Sequence, residues 1–197
     1  FTSVDSGKVD ISVNNLDTTE ERLEKYNMSV PYKYSIGGMI VREDGSSGIE
    51  AADLSDWAGK KAGGGAGTQY MKIAEKLGAE PVIYDNVTND VYLRDVSTGR
   101  TDFIPNDYYT QVIAVKYITA QYPDIKVKMG TAKYNPTEQA IVMSKKDDSL
   151  KKKLDQVIEE MKEDGTLKAI SEKYYAGQDL TVPEEGVEDL PVIDTSN

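Results

Sequence analysis

Three short stretches of this 197-residue sequence put charged or hydrogen-bonding groups at free backbone ends, which is the chemistry of holding ions. In "NNLDTTEERLEKYNMSVPY", residues 14–32, Thr18 precedes Glu21 by three residues. That is the spacing of a capping box, so a helix is expected over about 19–26. Glu20 and Glu21 suit the positive end of this helix. Arg22 does not, because a cation in the first turn opposes the helix dipole at a cost of about 0.3–1 kcal/mol. Either Arg22 pairs with Glu20, Glu21 or Asp17 on a solvated face, or the arginine and the helix start together hold an anion. In "AGGGAGTQY", residues 62–70, glycines run towards a helix start. Its free amides and the Thr68 hydroxyl suit an anion, although a tight strand-to-helix turn needs glycine too. It is not a P-loop, since no Gly-Lys-Ser/Thr follows, nor a dinucleotide fingerprint. Asp107, beyond Pro105 and Asn106, ends a short strand where a helix begins, as an N-cap or as a carboxylate facing a cation. One cation, one amide-rich turn and one carboxylate together complement a zwitterion. Arg22 and the amides would take an α-carboxylate, and Asp107 an α-ammonium.

Composition narrows the chemistry further. There is no His and no Cys. Ser-His-Asp and Cys-His catalysis, thiolate chemistry and zinc fingers are therefore excluded, along with most transition-metal sites. No cofactor and no metal are expected. With 34 Asp+Glu against 23 Lys+Arg the formal charge is −11, which argues against nucleic acid as a partner. No apolar run approaches the ~18 residues of a membrane span. The acidic pairs Asp147-Asp148, Glu159-Glu160 and Glu184-Glu185 read as solvated faces or tail rather than acid/base pairs. Of the 13 tyrosines, Tyr32 and Tyr34 are candidates for a pocket, a hinge or the core.

The elements that must position these residues alternate. Strands are expected at 9–13, along "YKYSIGGMIVRED", and in "PVIYD", "TDFIPND", "IKVKMG" and "QAIVMS". Helices are expected after the glycine-rich turn, in "NDVYLRDVSTG" up to Gly99, and over 107–120 with Val112, Val115 and Ile118 or Tyr117 inward. Two more follow from Asp148, the first carrying Leu150, Leu154, Val157, Ile158 and Met161 and ending at Asp164-Gly165-Thr166. The class is α/β with largely parallel sheets. The acidic tail from 177 is expected to be extended or disordered.

The order of motifs resembles the polar amino-acid-binding proteins of bacterial ABC importers, the extracellular solute-binding proteins of family 3. The matching pieces are "SGKVDISVNNLDTTEERLEKYNMSVPY", "LSDWAGKKAGGGAGTQY", "VSTGRTDFIPND" and "DSLKKKLDQVIEEMKEDGTLKAISEKYYAGQDLT". The resemblance implies a two-lobe periplasmic-binding-protein-like fold with a hinge that closes on an amino acid. Its lobes would be residues 1–43 with 129–181, and 44–128, followed by an acidic tail over 182–197. Family members begin with a strand, a helix and a second strand ahead of "SGKVD", so the first lobe is expected to be incomplete in this chain. Another chain, a swapped partner or nothing would complete it. By position, Arg22 matches the arginine that pairs with the ligand carboxylate, and Asn15 and Asp17 fall where ligand-facing backbone or hydroxyl groups stand. Gly67, Thr68 and Gln69 match the second-lobe helix start, and Asp107 the acid that takes the ammonium. Asp17 departs from the small neutral residue usual there. Either its side chain points away or the ligand carries a cationic group. The implied function is a non-enzymatic receptor outside the cell membrane, periplasmic or lipid-anchored. It would deliver a polar amino acid, cystine among the candidates, to an ABC permease. A lyase of the same fold, such as a cyclohexadienyl dehydratase, and a shortened form that binds nothing are the alternatives.

Overall fold

The computed structural model describes residues 1–195; Ser196 and Asn197, the last two residues of the expected acidic tail, lie outside the described residues. In chain order the elements are α1 (Thr2–Asp5), β1 (Ile11–Asp17), α2 (Glu20–Lys25), β2 (Tyr26–Met28), β3 (Lys33–Arg42) and β4 (Lys61–Gly65). Then come α3 (Gln69–Lys76), β5 (Glu80–Tyr84), α4 (Asn89–Ser97), β6 (Phe103–Asp107) and α5 (Tyr108–Gln121). The last are β7 (Val127–Met129), β8 (Tyr134–Ser144), α6 (Asp148–Glu163) and α7 (Thr166–Tyr174). They form two compact units, one of residues 1–35 and 137–187, the other of residues 36–136 and the chain from 188 onward. The first two crossings thus fall inside β3 and β8 rather than in loops.

The second unit is built on a mixed sheet in the order β7-β3-β6-β4-β5. Only the β4-α3-β5-α4-β6 run, where strands and helices alternate, gives parallel pairs. β3 and β7 carry the chain into and out of the unit and pair antiparallel, so the expectation of largely parallel sheets is corrected. Successive β3 residues serve both faces. Met39 and Val41 enter a cluster with Trp57, Phe103 and Tyr134, while Ile40 joins Leu93, Val96, Ile104, Ile125 and Val127. Burial on both faces is why β3 reads as an unbroken apolar run. The Trp57 ring lies 4.6 Å from Phe103 and 5.2 Å from Tyr134.

Two local expectations change here. The glycines of "AGGG" belong to β4, and the turn is reduced to Ala66-Gly67. A Cβ on Gly64 would lie 2.4 Å from Met71 Sδ, so this glycine lets α3 close onto the sheet. In α5 the buried side chains are Tyr109 and Gln111, with Val115 and Ile118 half-buried and Tyr117 exposed. Gln111 is drawn inward because its Nε2 donates to the Ile104 carbonyl at 2.7 Å.

In the first unit β8 is flanked by β1 and β2, both antiparallel: Met143 faces Ile11 on one side and Asn27 on the other. β1 starts at Ile11, later than expected, and runs to Asp17 through a bulge between Ser12 and Leu16. The apolar cluster here is small, Met28 with Ala140 and Val142. Of the five apolar α6 positions only Ile158 is buried, and Val157 is exposed.

Candidate functional site

Arg22, Asn15 and Asp17 all belong to the first unit. The cap of α2 is Thr19, one residue later than expected: its hydroxyl accepts the Arg22 N–H at 3.3 Å. Arg22 meets neither of its acidic helix neighbours in a described ion pair. Its Nη1 donates to the Asp17 carbonyl at 2.7 Å, and its guanidinium lies 5.1 Å from the Phe1 ring centre. The strand end and the helix start are thereby tied by one cation.

Asp17 turns its carboxylate inward. The residue is 7% exposed, and its Oδ1 accepts from Gln139 Nε2 at 3.1 Å. Gln139, 1% exposed, in turn accepts from Lys33 Nζ at 2.9 Å through Oε1. Lys33 is 4% exposed, with its ammonium 4.9 Å from the Tyr175 ring centre. A buried amide thus bridges a buried carboxylate and a buried ammonium, the way such charges are accommodated away from water. Lys33 and Gln139 are participants that sequence reasoning missed. The available signal was Lys33 itself, which alternates with Tyr32 and Tyr34 and so faces the opposite side of β3. Asn15 sits in the bulge with φ 48° and is exposed. Its N–H donates to the Tyr32 hydroxyl at 3.1 Å, and its Nδ2 to the Tyr175 hydroxyl at 3.4 Å. Tyr32 is therefore an anchor for the bulge.

Gly67, Thr68, Gln69 and Asp107 belong to the second unit. Gly67 adopts φ 69°, and Thr68 caps α3 by accepting the Met71 N–H at 3.3 Å. Gln69 donates through Nε2 to the Thr195 hydroxyl. Asp107 is 4% exposed and caps α5, its Oδ1 accepting from the Thr110 N–H at 2.8 Å. Its own N–H is held by Asn106 Oδ1 at 2.8 Å. The helix-cap role and the buried carboxylate coincide in this residue. Each unit therefore assembles its own candidates, but neither contains all seven. A cavity of about 270 Å³ elsewhere in the second unit, lined by Val41, Ser47, Ile49, Glu50, Lys128 and Met129 among others, includes none of them. Among the described residues there is no acidic cluster placed for a metal ion, and no helix long and apolar enough to cross a membrane.

The chain as a whole is similar to known proteins. The chain is 46% identical over 182 residues to the probable ABC transporter extracellular-binding protein YckB of Bacillus subtilis, covering 92% of this chain and 61% of that protein. The YckB crystal structure superposes with a TM-score of 0.74 at 44% identity, covering 98% of this chain and 74% of that one. The L-cystine-binding protein TcyJ of Escherichia coli is 32% identical over 181 residues, covering 91% of this chain and 64% of TcyJ. An ancestral arginine-binding protein bound to arginine superposes with a TM-score of 0.73 at 27% identity, covering 88% of this chain and 75% of that one. The chain thus spans less than two thirds of each of these two curated relatives. The fold is that of the two-lobe periplasmic solute-binding proteins, with α/β units. The family model "Bacterial extracellular solute-binding proteins, family 3" matches residues 1–177, and the chain belongs to that family.

Proposed function

We propose that this chain is part of a non-enzymatic receptor that captures an amino acid outside the cell membrane and hands it to an ABC permease. Arg22 takes the α-carboxylate, helped by the α3 start at Gly67, Thr68 and Gln69. Asp107 takes the α-ammonium, and backbone at Asn15 and Asp17 lines the carboxylate end. The observation that carries this reading is the inward turn of Asp17. Its carboxylate accepts from the buried Gln139, which also holds Lys33, while its carbonyl accepts from the Arg22 guanidinium, so the two groups serve different partners. Of the two meanings first open for Asp17, this favours the side chain that points away, so the ligand needs no cationic side chain. Cystine is a candidate because TcyJ is named for it. The arginine-bound relative makes arginine the other.

The test is a thermal-shift screen against the twenty amino acids and cystine. At 100 times Kd a ligand adds about 2.7 kcal/mol of stability, a rise of several degrees for a protein of this size. A rise with one amino acid that disappears in Arg22→Met supports the reading. A folded protein that responds to none of them contradicts it.

A further inference from the structure

Residues 188–195 belong to the second unit, and their anchoring converges on a residue assigned above to the ligand. Asn135 is the fixed point. It adopts φ 43°, a left-handed conformation that asparagine tolerates. Its N–H donates to the Pro191 carbonyl at 2.8 Å. Its side-chain amide pairs with Ile193 in both directions, Nδ2 donating to the Ile193 carbonyl at 3.0 Å and Oδ1 accepting the Ile193 N–H at 2.8 Å. The amide thus replaces a neighbouring strand for one residue. Ile193 packs against the Trp57–Phe103–Tyr134 cluster. In an extended segment, residues two apart share a side. Thr195 follows Ile193 at that spacing and receives the hydrogen bond from Gln69, the first residue of α3.

We infer that residues 188–195 form a strap that occupies the second unit's half of the binding site, so that Gln69 must release Thr195 before a ligand carboxylate takes the α3 start. This rests on the assignment of Gln69 made under Proposed function. If only a fraction of molecules have the strap undocked, apparent affinity is reduced by that fraction.

The experiment uses the full chain and isothermal titration with L-cystine, L-arginine and L-glutamine. Ile193→Asp places a charge against the apolar cluster and unseats the strap. Thr195→Val removes only the acceptor of the Gln69 bond and spares the core. The expected result is a Kd about tenfold lower in Ile193→Asp and about twofold lower in Thr195→Val. Hydrogen exchange at the Ile193 amide of the wild type should also accelerate when ligand is added. Binding to the Ile193→Asp variant alone would support the strap as well. Unchanged or weaker affinity in both folded variants, with the Ile193 amide still protected in the complex, overturns the strap and leaves the receptor reading standing. No binding of these three, or of any other amino acid in the thermal-shift screen, by the wild type or either variant overturns both.

Discussion

The two units are stabilised by different means. The second unit buries Trp57, Phe103, Tyr134 and Met39 completely, and its strand β3 serves two apolar clusters. The first unit has an apolar cluster of three buried residues, and its buried side chains include Asp17, Asn27, Lys33 and Gln139. It also leaves Phe1, Val9, Val13, Leu23, Val157, Ile170 and Tyr174 exposed. The second unit therefore resembles an ordinary close-packed core. The first combines a smaller apolar cluster with a chain of buried polar side chains. That chain includes Asp17, whose carbonyl accepts from Arg22, the residue proposed to take the ligand carboxylate.

Substitutions separate the two regimes. Trp57→Ala should have the largest effect, a loss of about 3–5 kcal/mol in urea unfolding, because it opens a cavity in the aromatic cluster. A loss below 1 kcal/mol would mean that the second unit does not depend on that cluster. Arg42→Met should follow at about 3 kcal/mol, since it strips a charge-assisted hub of the same unit. Arg42 binds the Asp102 carboxylate at 2.9 Å and the Thr101 carbonyl at 2.9 Å. Burial is the largest influence on Asp102 and raises its pKa, but the Lys61 N–H and the Arg42 guanidinium together outweigh it and hold the carboxyl below its usual range. A carboxyl depressed in the fold stabilises fully above its unfolded pKa of about 3.9, and that stability is lost as pH falls through the lower folded value. Acid unfolding measured below about pH 4 should therefore be shallower in Asp102→Asn.

Gln139→Ala tests the first unit. It removes the amide that bridges Lys33 and Asp17, at a cost of about 2 kcal/mol. The comparison sharpens if hydrogen exchange then rises at Met28, Val142 and Asp17 while the β4 and β6 amides keep their protection. Uniform acceleration would mean that the two units unfold as one. The smallest effect belongs to Lys25→Ala. Its ion pair with Glu21 at 2.9 Å joins two exposed side chains, so the melting temperature should not move measurably.

What the sequence revealed follows the range of the interactions. The Gly67 turn and the Asp107 cap were legible because each is closed within three residues or by the residue's own backbone. The α2 cap was misplaced from Thr19 to Thr18 by one position, because both residues are threonine and only the folded backbone decides. The Lys33–Gln139 and Gln139–Asp17 bonds join residues 106 and 122 positions apart, and Gln69–Thr195 joins residues 126 apart. No local pattern encodes such pairs. The glycines of β4 misled for a related reason: the demand for a missing Cβ comes from Met71, across the strand–helix contact.

We propose that one amino acid is recognised by Arg22 through its carboxylate and by Asp107 through its ammonium. Calorimetric titration of the wild type, Arg22→Met and Asp107→Asn tests it most directly, using the amino acid found in the screen and its methyl ester. Asparagine still caps a helix, so Asp107→Asn removes the charge and keeps the α5 start. Both variants should lose at least about tenfold in affinity, about 1.4 kcal/mol. Arg22→Met should lose little further when the ester replaces the acid. A variant of either residue that binds the free amino acid as tightly as the wild type would contradict it.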